Sequence, residues 1–255
     1  MKKKSWLAAW MPRVGISVAL AAILAIYVVM LAPRSSGRSY ETQVGDQQQV
    51  TLDDGTTLTL NTNTRVRVQY SAERRKILLD RGEILLSVAH DASRPLEVIA
   101  AGVVSRAVGT KFSVRLHEDA SVETVVTEGR VLVLGQRNVL GMPMEPKPLA
   151  PTLVAGEHAV VNAKSTQVSH LTAQEMKGLL MWTTGRIVFQ REKLSTVVRE
   201  LNRYNVRQLT IRDARISETR IGGGFETSHA DAYAQDLTIF FGNTALASQQ
   251  PAPER

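Results

Sequence analysis

The sequence predicts three consecutive parts: a single transmembrane helix, an all-β domain built as a double sheet (solenoid-like or a sandwich), and a small α+β domain of two β-α-β units. Three observations support this: an uncharged run near the N-terminus, period-two alternation in the middle, and apolar residues three or four apart in the last third. The predicted boundaries are 1–13 for a short cytoplasmic stub, 14–32 for the transmembrane helix, 33–43 for a linker, 44–170 for the all-β domain, 171–185 for a connector, 186–247 for the α+β domain and 248–255 for a tail.

The predicted membrane span runs from Val14 to Ala32 and contains no charged residue. At the helical rise of 1.5 Å per residue it reaches roughly 28 Å, about the thickness of a bilayer's hydrocarbon core. Four cations precede it and two follow it, which favours a cytoplasmic N-terminus and an exported body. These cations are Lys2, Lys3, Lys4 and Arg13 before the span, and Arg34 and Arg38 after it.

A cleaved signal peptide is the alternative interpretation of this stretch. The basic start fits one, but the apolar run is longer than the usual 7–15 residues of a signal peptide's apolar region. Its end, Met30 to Pro33, is also a poor small-x-small cleavage site. We therefore favour a retained anchor, and either interpretation exports the rest of the chain.

The formal net charge of +7 does not indicate nucleic-acid binding, because the excess is confined to the first residues. Residues 1–38 carry six Lys/Arg and no Asp/Glu, and the remainder carries 25 basic against 24 acidic residues. The excess therefore belongs to the flanks of the span, where it orients the helix. The sequence has no Cys, so disulfides and thiolate metal sites are excluded.

Short strands separated by turns are predicted between Val44 and Val133. Period-two alternation, which buries one face of a strand, occurs in four segments. These are Thr57–Leu60, Arg65–Tyr70, Lys111–Leu116 and Arg130–Val133. Asp54-Gly55 between two of the β runs predicts a hairpin, because Gly tolerates positive φ.

A strand-turn-strand theme with a central Gly recurs four times, as VTLDDGTTLTL, ILLDRGEILLSV, TVVTEGRVLVL and LVAGEHAVV. In the second copy, Asp80 and Glu83 flank Arg81-Gly82, which we interpret as a turn. The segment from Gly135 to Thr152 holds four of the nine prolines and is predicted to be a loop between strands.

The last third changes to a mixture of helix and strand. Thr172 and Glu175 fit a capping box at the start of a short connecting helix that ends near Trp182. The apolar residues Leu194, Val197, Val198, Leu201 and Tyr204 form one face of a second helix, predicted over 193–205. Strands are predicted at Arg186–Phe189, Gln208–Arg212 and Arg220–Phe225, a third helix at Asp231–Phe241 with Gly242 as its cap, and a weak strand at Thr244–Ala247.

No catalytic, cofactor-binding or metal-binding set is predicted. The five histidines are scattered without an i, i+4 pair, and no G-x-S-x-G motif occurs. Gly222, Gly223 and Gly224 are either a bulged or exposed strand, or an edge to which a partner adds a strand. Arg199 and Arg203 on the predicted helix 193–205 form either a solvated face or a docking surface for a partner.

Several segments in fixed order resemble the FecR family, transmembrane regulators of iron-siderophore signalling in Gram-negative bacteria. The matching segments are 50–66 (VTLDDGTTLTLNTNTRV), 74–95 (RRKILLDRGEILLSVAHDASRP), 108–116 (VGTKFSVRL), 125–133 (VVTEGRVLV) and 182–216 (WTTGRIVFQREKLSTVVRELNRYNVRQLTIRDARI). The resemblance implies an all-β FecR domain followed by a domain similar to the short N-terminal domain of secretins and TonB-dependent receptors.

The resemblance also implies a function without enzymatic activity or cofactor. A FecR-like protein of the inner membrane relays a signal from the signalling domain of an outer-membrane TonB-dependent transducer to an extracytoplasmic-function sigma factor. Family members carry an N-terminal anti-sigma domain before the anchor, whereas thirteen residues precede the predicted span here. The alternative is a membrane-anchored periplasmic scaffold or binding protein with no direct sigma-factor contact.

Overall fold

A computed structural model describes residues 36–139 and 142–249. The predicted span Val14–Ala32 and the stub before it lie outside these residues. Within the described ranges, no helix is long and apolar enough to cross a membrane. The described residues from Gly37 onwards belong to one compact unit.

Residues 36–170, which we call the β body, consist of β-strands. These strands are β1 (Ser36–Glu41), β2 (Gln48–Thr51), β3 (Thr57–Leu60), β4 (Arg65–Tyr70), β5 (Arg75–Ser87), β6 (Leu96–Ala100), β7 (Val103–Ala107), β8 (Lys111–Leu116), β9 (Val122–Glu128), β10 (Arg130–Val139), β11 (Met142–Pro148), β12 (Leu153–Val154), β13 (Glu157–Val161) and β14 (Thr166–His170).

The strands of the β body form one continuous sheet that curls into two facing layers joined by β5. The first layer contains β1, β4, β6, β7, β10, β11 and β12, and the second contains β2, β3, β8, β9, β13 and β14. Most pairs are antiparallel, but β6 runs parallel to β5. Apolar side chains from both layers meet in one core, with Leu60, Ile77 and Phe112 fully buried. The predicted fold class is confirmed to this extent: the described chain is mostly β, with a curled sheet and few helices.

The turn predicted at Arg81-Gly82 is wrong, because β5 continues through it as one strand. Before this point β5 pairs with β4 and β6 in the first layer, and from Gly82 onwards it pairs with β3 and β8 in the second. Gly82 has φ +89°, and a Cβ there would lie 2.2 Å from Thr64 Oγ1. The glycine therefore lets the strand bend sharply against a neighbouring chain segment, and it marks a corner between layers.

Two other glycines of the repeated theme also mark corners. Gly129 and Gly156 have φ values of +81° and +94°, and each separates a strand of one layer from a strand of the other. Asp54-Gly55, in contrast, forms the predicted hairpin, with Thr51 paired to Thr57 and Gly55 at φ +85°. Only this copy of the theme joins two strands that pair with each other, so the other three copies are not hairpins.

Two segments predicted to lack regular structure form strands. Met142–Pro148, inside the predicted loop, is strand β11 and pairs with β10. Its prolines are tolerated because an edge strand needs ladder donors on one side only. Ser36–Glu41, inside the predicted linker 33–43, is strand β1 and pairs with β4. Tyr40 of β1 packs against the apolar core, which explains why this short segment is ordered.

Residues 171–249, which we call the C-terminal segment, form the two predicted β-α-β units after a connecting helix. The elements are α1 (Ala173–Leu180), β15 (Arg186–Lys193), α2 (Leu194–Asn202), β16 (Gln208–Ile211), β17 (Arg220–Glu226), α3 (Ala230–Phe241) and β18 (Leu246–Gln249). Strand β15 pairs with β17, and β16 pairs with β18. The predicted capping box at Thr172 is confirmed, as both of its hydrogen bonds form. The last strand starts at Leu246 and includes Ser248, which had been assigned to the tail.

Candidate functional site at the junction

The end of helix α2 faces the β body rather than solvent. The amphipathic pattern buries Leu194, Val197, Val198 and Leu201 inside the C-terminal segment. The helix ends at Asn202, and Arg203 is its C-terminal cap. The next residue, Tyr204, has only 4% of its surface exposed. This arrangement directs two polar side chains at the end of α2 towards the β body.

Tyr204 is hydrogen-bonded to a fully buried amide of the β body. The Asn61 amide nitrogen donates to the Tyr204 hydroxyl oxygen at 2.8 Å, and the hydroxyl lies 3.1 Å from the Asn61 amide oxygen, to which it donates. Asn61 Nδ2 also donates to a carboxylate oxygen of Glu83 at 2.9 Å. Burial raises the pKa of the Tyr204 phenol, so the hydroxyl keeps its proton and stays a donor.

Four charged side chains alternate in sign across the junction, and we call Glu83, Arg203, Glu200 and Arg115 the ion quartet. Arg203 contacts Glu83 at 2.7 Å, and Arg115 contacts Glu200 at 2.9 Å. Arg203 also pairs with Glu200, one turn earlier on α2. The exposed fractions of the four side chains lie between 6% and 19%. Charges so far removed from water are stable only when paired, and here each has an opposite partner.

The pKa shifts of two members of the ion quartet, Glu200 and Arg203, have identifiable causes. Burial by itself would raise the pKa of the Glu200 carboxyl, but the guanidinium groups of Arg203 and Arg115 outweigh burial and lower it. Burial would lower the pKa of Arg203, yet the charges of Glu200 and Glu83 outweigh burial and raise it. Both shifts favour the charged forms of Glu200 and Arg203.

Further contacts join the β body to the C-terminal segment. The Thr62 hydroxyl donates to the backbone carbonyl of Arg203 at 3.0 Å, and Gln47 Nε2 donates to the carbonyl of Trp182 at 3.0 Å. Leu85, from the second layer of the β body, packs against the apolar core of the C-terminal segment. The junction therefore combines one apolar contact with several directional polar ones.

An open groove of about 1540 Å³ runs along the junction between the β body and the C-terminal segment. The ion quartet lines it, as do helix α1 and strand β15. His117, Glu123 and His158 line it as well, with Glu123 accepting from His117 at 3.2 Å and from His158 at 3.4 Å. Burial would raise the pKa of Glu123, but the hydrogen bonds from the two histidines outweigh burial and lower it to about 2.

The polar side chains around this groove mostly contact one another. In the described part of the chain, no group of three His, Cys, Asp or Glu side chains is arranged to hold a metal ion. The polar side chains of the junction are paired with one another across it. Such an arrangement can dock a protein segment or hold two parts of the chain together.

Arg199 and Arg203, predicted to share one surface, have different surroundings in the structure. Arg199 is exposed and lines the groove. Arg203 is in the ion quartet, so neither the solvated face nor a free docking surface describes its surroundings. The pattern of α2 alone could not distinguish the two side chains, since both lie on its polar face.

Gly222, Gly223 and Gly224 lie in strand β17 and are exposed. A Cβ on Gly224 would lie 2.4 Å from the carbonyl oxygen of Ile187 in β15, so the close approach of the two strands requires glycine there. Gly223 has φ +126°, which favours glycine on conformational grounds. The glycines thus have a structural role within the β15–β17 pair, and contact with a partner stays a prediction.

Sequence reasoning missed most of the junction. Glu83 was assigned to a turn, and Tyr204 to the apolar face of a helix. Asn61 directly follows one alternating β run and Arg115 lies on the polar side of another, so neither pattern indicates a special role. Glu83 and Arg203 are 120 residues apart, and no local spacing connects them.

Comparisons with known proteins agree with this architecture. The family model described as "FecR protein" matches residues 38–132, which span most of the two layers. No curated protein sequence matches the chain.

Two solved structures share the fold. Both are crystal structures of a protein from Parabacteroides distasonis ATCC 8503 described as a "putative anti-sigma factor", each 20% identical to this chain. The first has a TM-score of 0.61 and covers 85% of this chain, and the second has a TM-score of 0.58 and covers 84%; both match over 100% of their own length. This coverage exceeds what the β body could supply, so the shared fold extends into the C-terminal segment. Over residues 38–132 the chain is therefore similar to the FecR family, and the two solved structures share its fold.

Proposed function

We propose that the chain is a FecR-like regulator of a sigma factor and a transducer of signals, and not an enzyme. The observation that carries the proposal is the FecR match over residues 38–132, which supports a regulatory and non-enzymatic role. The fold shared with proteins described as anti-sigma factors supports the same class.

The finer proposal concerns location and partners. The protein crosses the bacterial inner membrane once through Val14–Ala32, with a cytoplasmic N-terminus and a periplasmic body. It receives its signal from the signalling domain of an outer-membrane TonB-dependent transducer, in the regulation of iron-siderophore uptake. The uncharged run, the cation bias at its ends and the family resemblance support this arrangement.

Two surfaces of the C-terminal segment are proposed contacts for the transducer. Arg199 is exposed on the groove, where it is accessible to an acidic group of a partner. Strand β17, with Gly222 and its two neighbouring glycines, pairs with β15 and presents exposed backbone for strand addition. Arg203 is excluded from this proposal, because it is already bound within the chain.

Binding of the purified signalling domain to the full-length protein in lipid nanodiscs tests this proposal. We expect saturable binding, and we expect Arg199→Glu to weaken it about tenfold by slowing association, since a charge at the rim of an interface steers encounter. Arg207→Glu is the matched control, because Arg207 is an exposed arginine of the same segment that does not line the groove.

The regulatory part of the proposal needs a separate measurement. Deletion of the gene should change transcription from promoters that depend on an extracytoplasmic-function sigma factor, measured with a reporter under iron limitation. Binding without any change in transcription would instead support the alternative, a membrane-anchored periplasmic scaffold. Absence of transducer binding would overturn the assignment of the partner.

A further inference from the structure

A continuous chain of hydrogen bonds links the end of helix α2 to the residue that follows strand β1. Tyr204, just after α2, is bonded to the side chain of Asn61. The backbone carbonyl of Asn61 accepts from the Thr42 hydroxyl at 2.5 Å. Thr42 directly follows Glu41, the last residue of β1. The two ends of this chain of bonds are therefore the C-terminal segment and the N-terminal strand.

A second branch reaches the same threonine through Thr64. Glu83, the partner of Arg203, donates its backbone N–H to Thr64 Oγ1 at 3.0 Å. Thr64 in turn donates its N–H to Thr42 Oγ1 at 3.0 Å, and its carbonyl accepts from the Thr42 N–H at 2.9 Å. We call the six residues of the two branches the coupling network: Thr42, Asn61, Thr64, Glu83, Arg203 and Tyr204.

Most of the coupling network is shielded from water. Asn61 and Thr64 are fully buried, and Thr42, Glu83 and Tyr204 are each 4% exposed. If Tyr204 or Arg203 moves away, Asn61 or Glu83 loses a hydrogen bond at a place that water does not reach, which is unfavourable. The network should therefore exist either complete or broken, with few intermediate arrangements.

Strand β1 has few buried polar attachments to the rest of the sheet. In the described residues it lies at an edge of the sheet and pairs with β4 alone. Its other side-chain anchors are the ion pairs of Arg38 with Asp53 and of Glu41 with Arg65 and Arg81, which are largely exposed. A part-buried bond from the Ser39 hydroxyl to the carbonyl of Val66, at 3.3 Å, adds to them. Exposed ion pairs hold a strand weakly, so Thr42 is the main buried polar attachment at the end of β1.

We propose that the coupling network is a conformational device that links docking of the C-terminal segment to the pairing of β1. When α2 is docked, the complete network holds Thr42 and keeps β1 in the sheet. When α2 leaves its place, Asn61 loses its bonds to Tyr204 and Glu83 loses its bond to Arg203, while the bond between Asn61 and Glu83 remains. The hold on Thr42 then weakens and β1 is released. A change at the C-terminal segment thereby reaches the strand that leads to residues 1–35.

This inference rests on the proposed function, because it describes how a signal received by the C-terminal segment would leave the β body. A transducer that binds one docking state better than the other would shift the equilibrium by its differential affinity. The size of the coupling is a property of the chain alone, however, and it is measurable without any partner.

Amide hydrogen exchange of the full-length protein in lipid nanodiscs tests the coupling. Tyr204→Phe removes the hydroxyl and keeps the buried ring. We expect exchange at residues 37–42 to accelerate about tenfold, since one buried hydrogen bond corresponds to roughly that factor. Tyr233→Phe is the matched control, because its ring stacks on Phe225 within the C-terminal segment, and exchange at residues 37–42 should be unchanged.

Coupling is reciprocal, so a change at the other end gives a second test. Thr42→Val should accelerate exchange at residues 202–205 by a similar factor. The loss of one hydrogen bond by itself can leave α2 docked. The double variant Tyr204→Phe with Arg203→Met therefore removes both polar contacts at the end of α2. Wild-type exchange at residues 37–42 in this double variant, or at residues 202–205 in Thr42→Val, would overturn the proposal. Neither result depends on the transducer or the sigma factor, so this proposal and the proposed function fail independently.

Discussion

Between the two layers of the β body, the buried residues are mostly aliphatic, whereas at the junction with the C-terminal segment they are polar or charged. Leu58, Ile84 and Phe112 illustrate the first region, each with no exposed surface. Asn61 and Glu83 illustrate the second, and both are buried against hydrogen-bond partners that directly follow α2. The two regions lie only a few residues apart in strands β3 and β5.

The difference indicates that one region provides most of the folding stability and the other positions the C-terminal segment. Apolar burial is favourable in proportion to area and has little directional preference. Hydrogen bonds and buried ion pairs demand particular distances and angles, and they contribute less net stability. The core should therefore determine whether the β body folds, and the junction should determine where the C-terminal segment is held.

The largest effect should come from the core. Phe112→Ala removes a fully buried ring between the layers and should lower the free energy of unfolding by about 3–5 kcal/mol. Urea denaturation of the full chain followed by far-UV circular dichroism measures it. Leu132→Ala, at a position 39% exposed on β10, is the control and should cost far less. Equal costs at both positions would contradict the assignment of the core.

An intermediate effect is expected from the ion quartet. Arg203→Met leaves Glu83 buried without its cation and should cost about 2–3 kcal/mol, somewhat below a fully buried pair. Glu83→Gln in the same background should recover part of that loss, because no unpaired carboxylate remains. The double-mutant cycle by urea denaturation should give a coupling energy above about 1 kcal/mol. Strict additivity of the two changes would show that the pair does not fix the junction.

The smallest effect should come from the histidines in the groove. The hydrogen bond to Glu123 raises the pKa of His158 above its ordinary 6.5, and this outweighs the lowering by burial. A raised histidine pKa stabilises the fold below pH 6.5 and loses this effect as pH rises through the folded-state value. Glu123, lowered from 4.5 to about 2, stabilises the fold above pH 4.5 and loses this effect as pH falls towards 2.

The pair should therefore contribute most between pH 4.5 and 6.5. His158→Gln should lower the melting temperature most in this window and less on the alkaline side, with a loss of at most about 1 kcal/mol. His170→Gln is the control, since His170 is 72% exposed. A pH-independent loss in His158→Gln would show that the charge of His158 plays no part.

Local features of the sequence predicted many of the elements. The alternating segment Arg65–Tyr70 is strand β4, the Asp54-Gly55 dipeptide lies in a hairpin turn, and Thr172 and Glu175 form a capping box, all as predicted. Each of these depends on residues a few positions apart, so the responsible contacts are visible in the sequence. The turn predicted at Arg81-Gly82 is wrong because a glycine with positive φ occurs both in hairpin turns and where a strand bends between two layers. Only the pairing of the strands distinguishes the two cases.

By itself the sequence determined the period of the alternating and amphipathic segments, the order of strands and helices after residue 186, and the FecR resemblance. Periodicity shows which side of a segment is apolar, and it depends only on residues close together in the sequence. The tertiary structure alone decided that β5 and the chain at Gly129 cross between layers, that a proline-rich segment forms an edge strand, and that Glu83 meets Arg203. These outcomes depend on contacts between residues far apart in the chain, and such contacts leave no periodic trace in either segment.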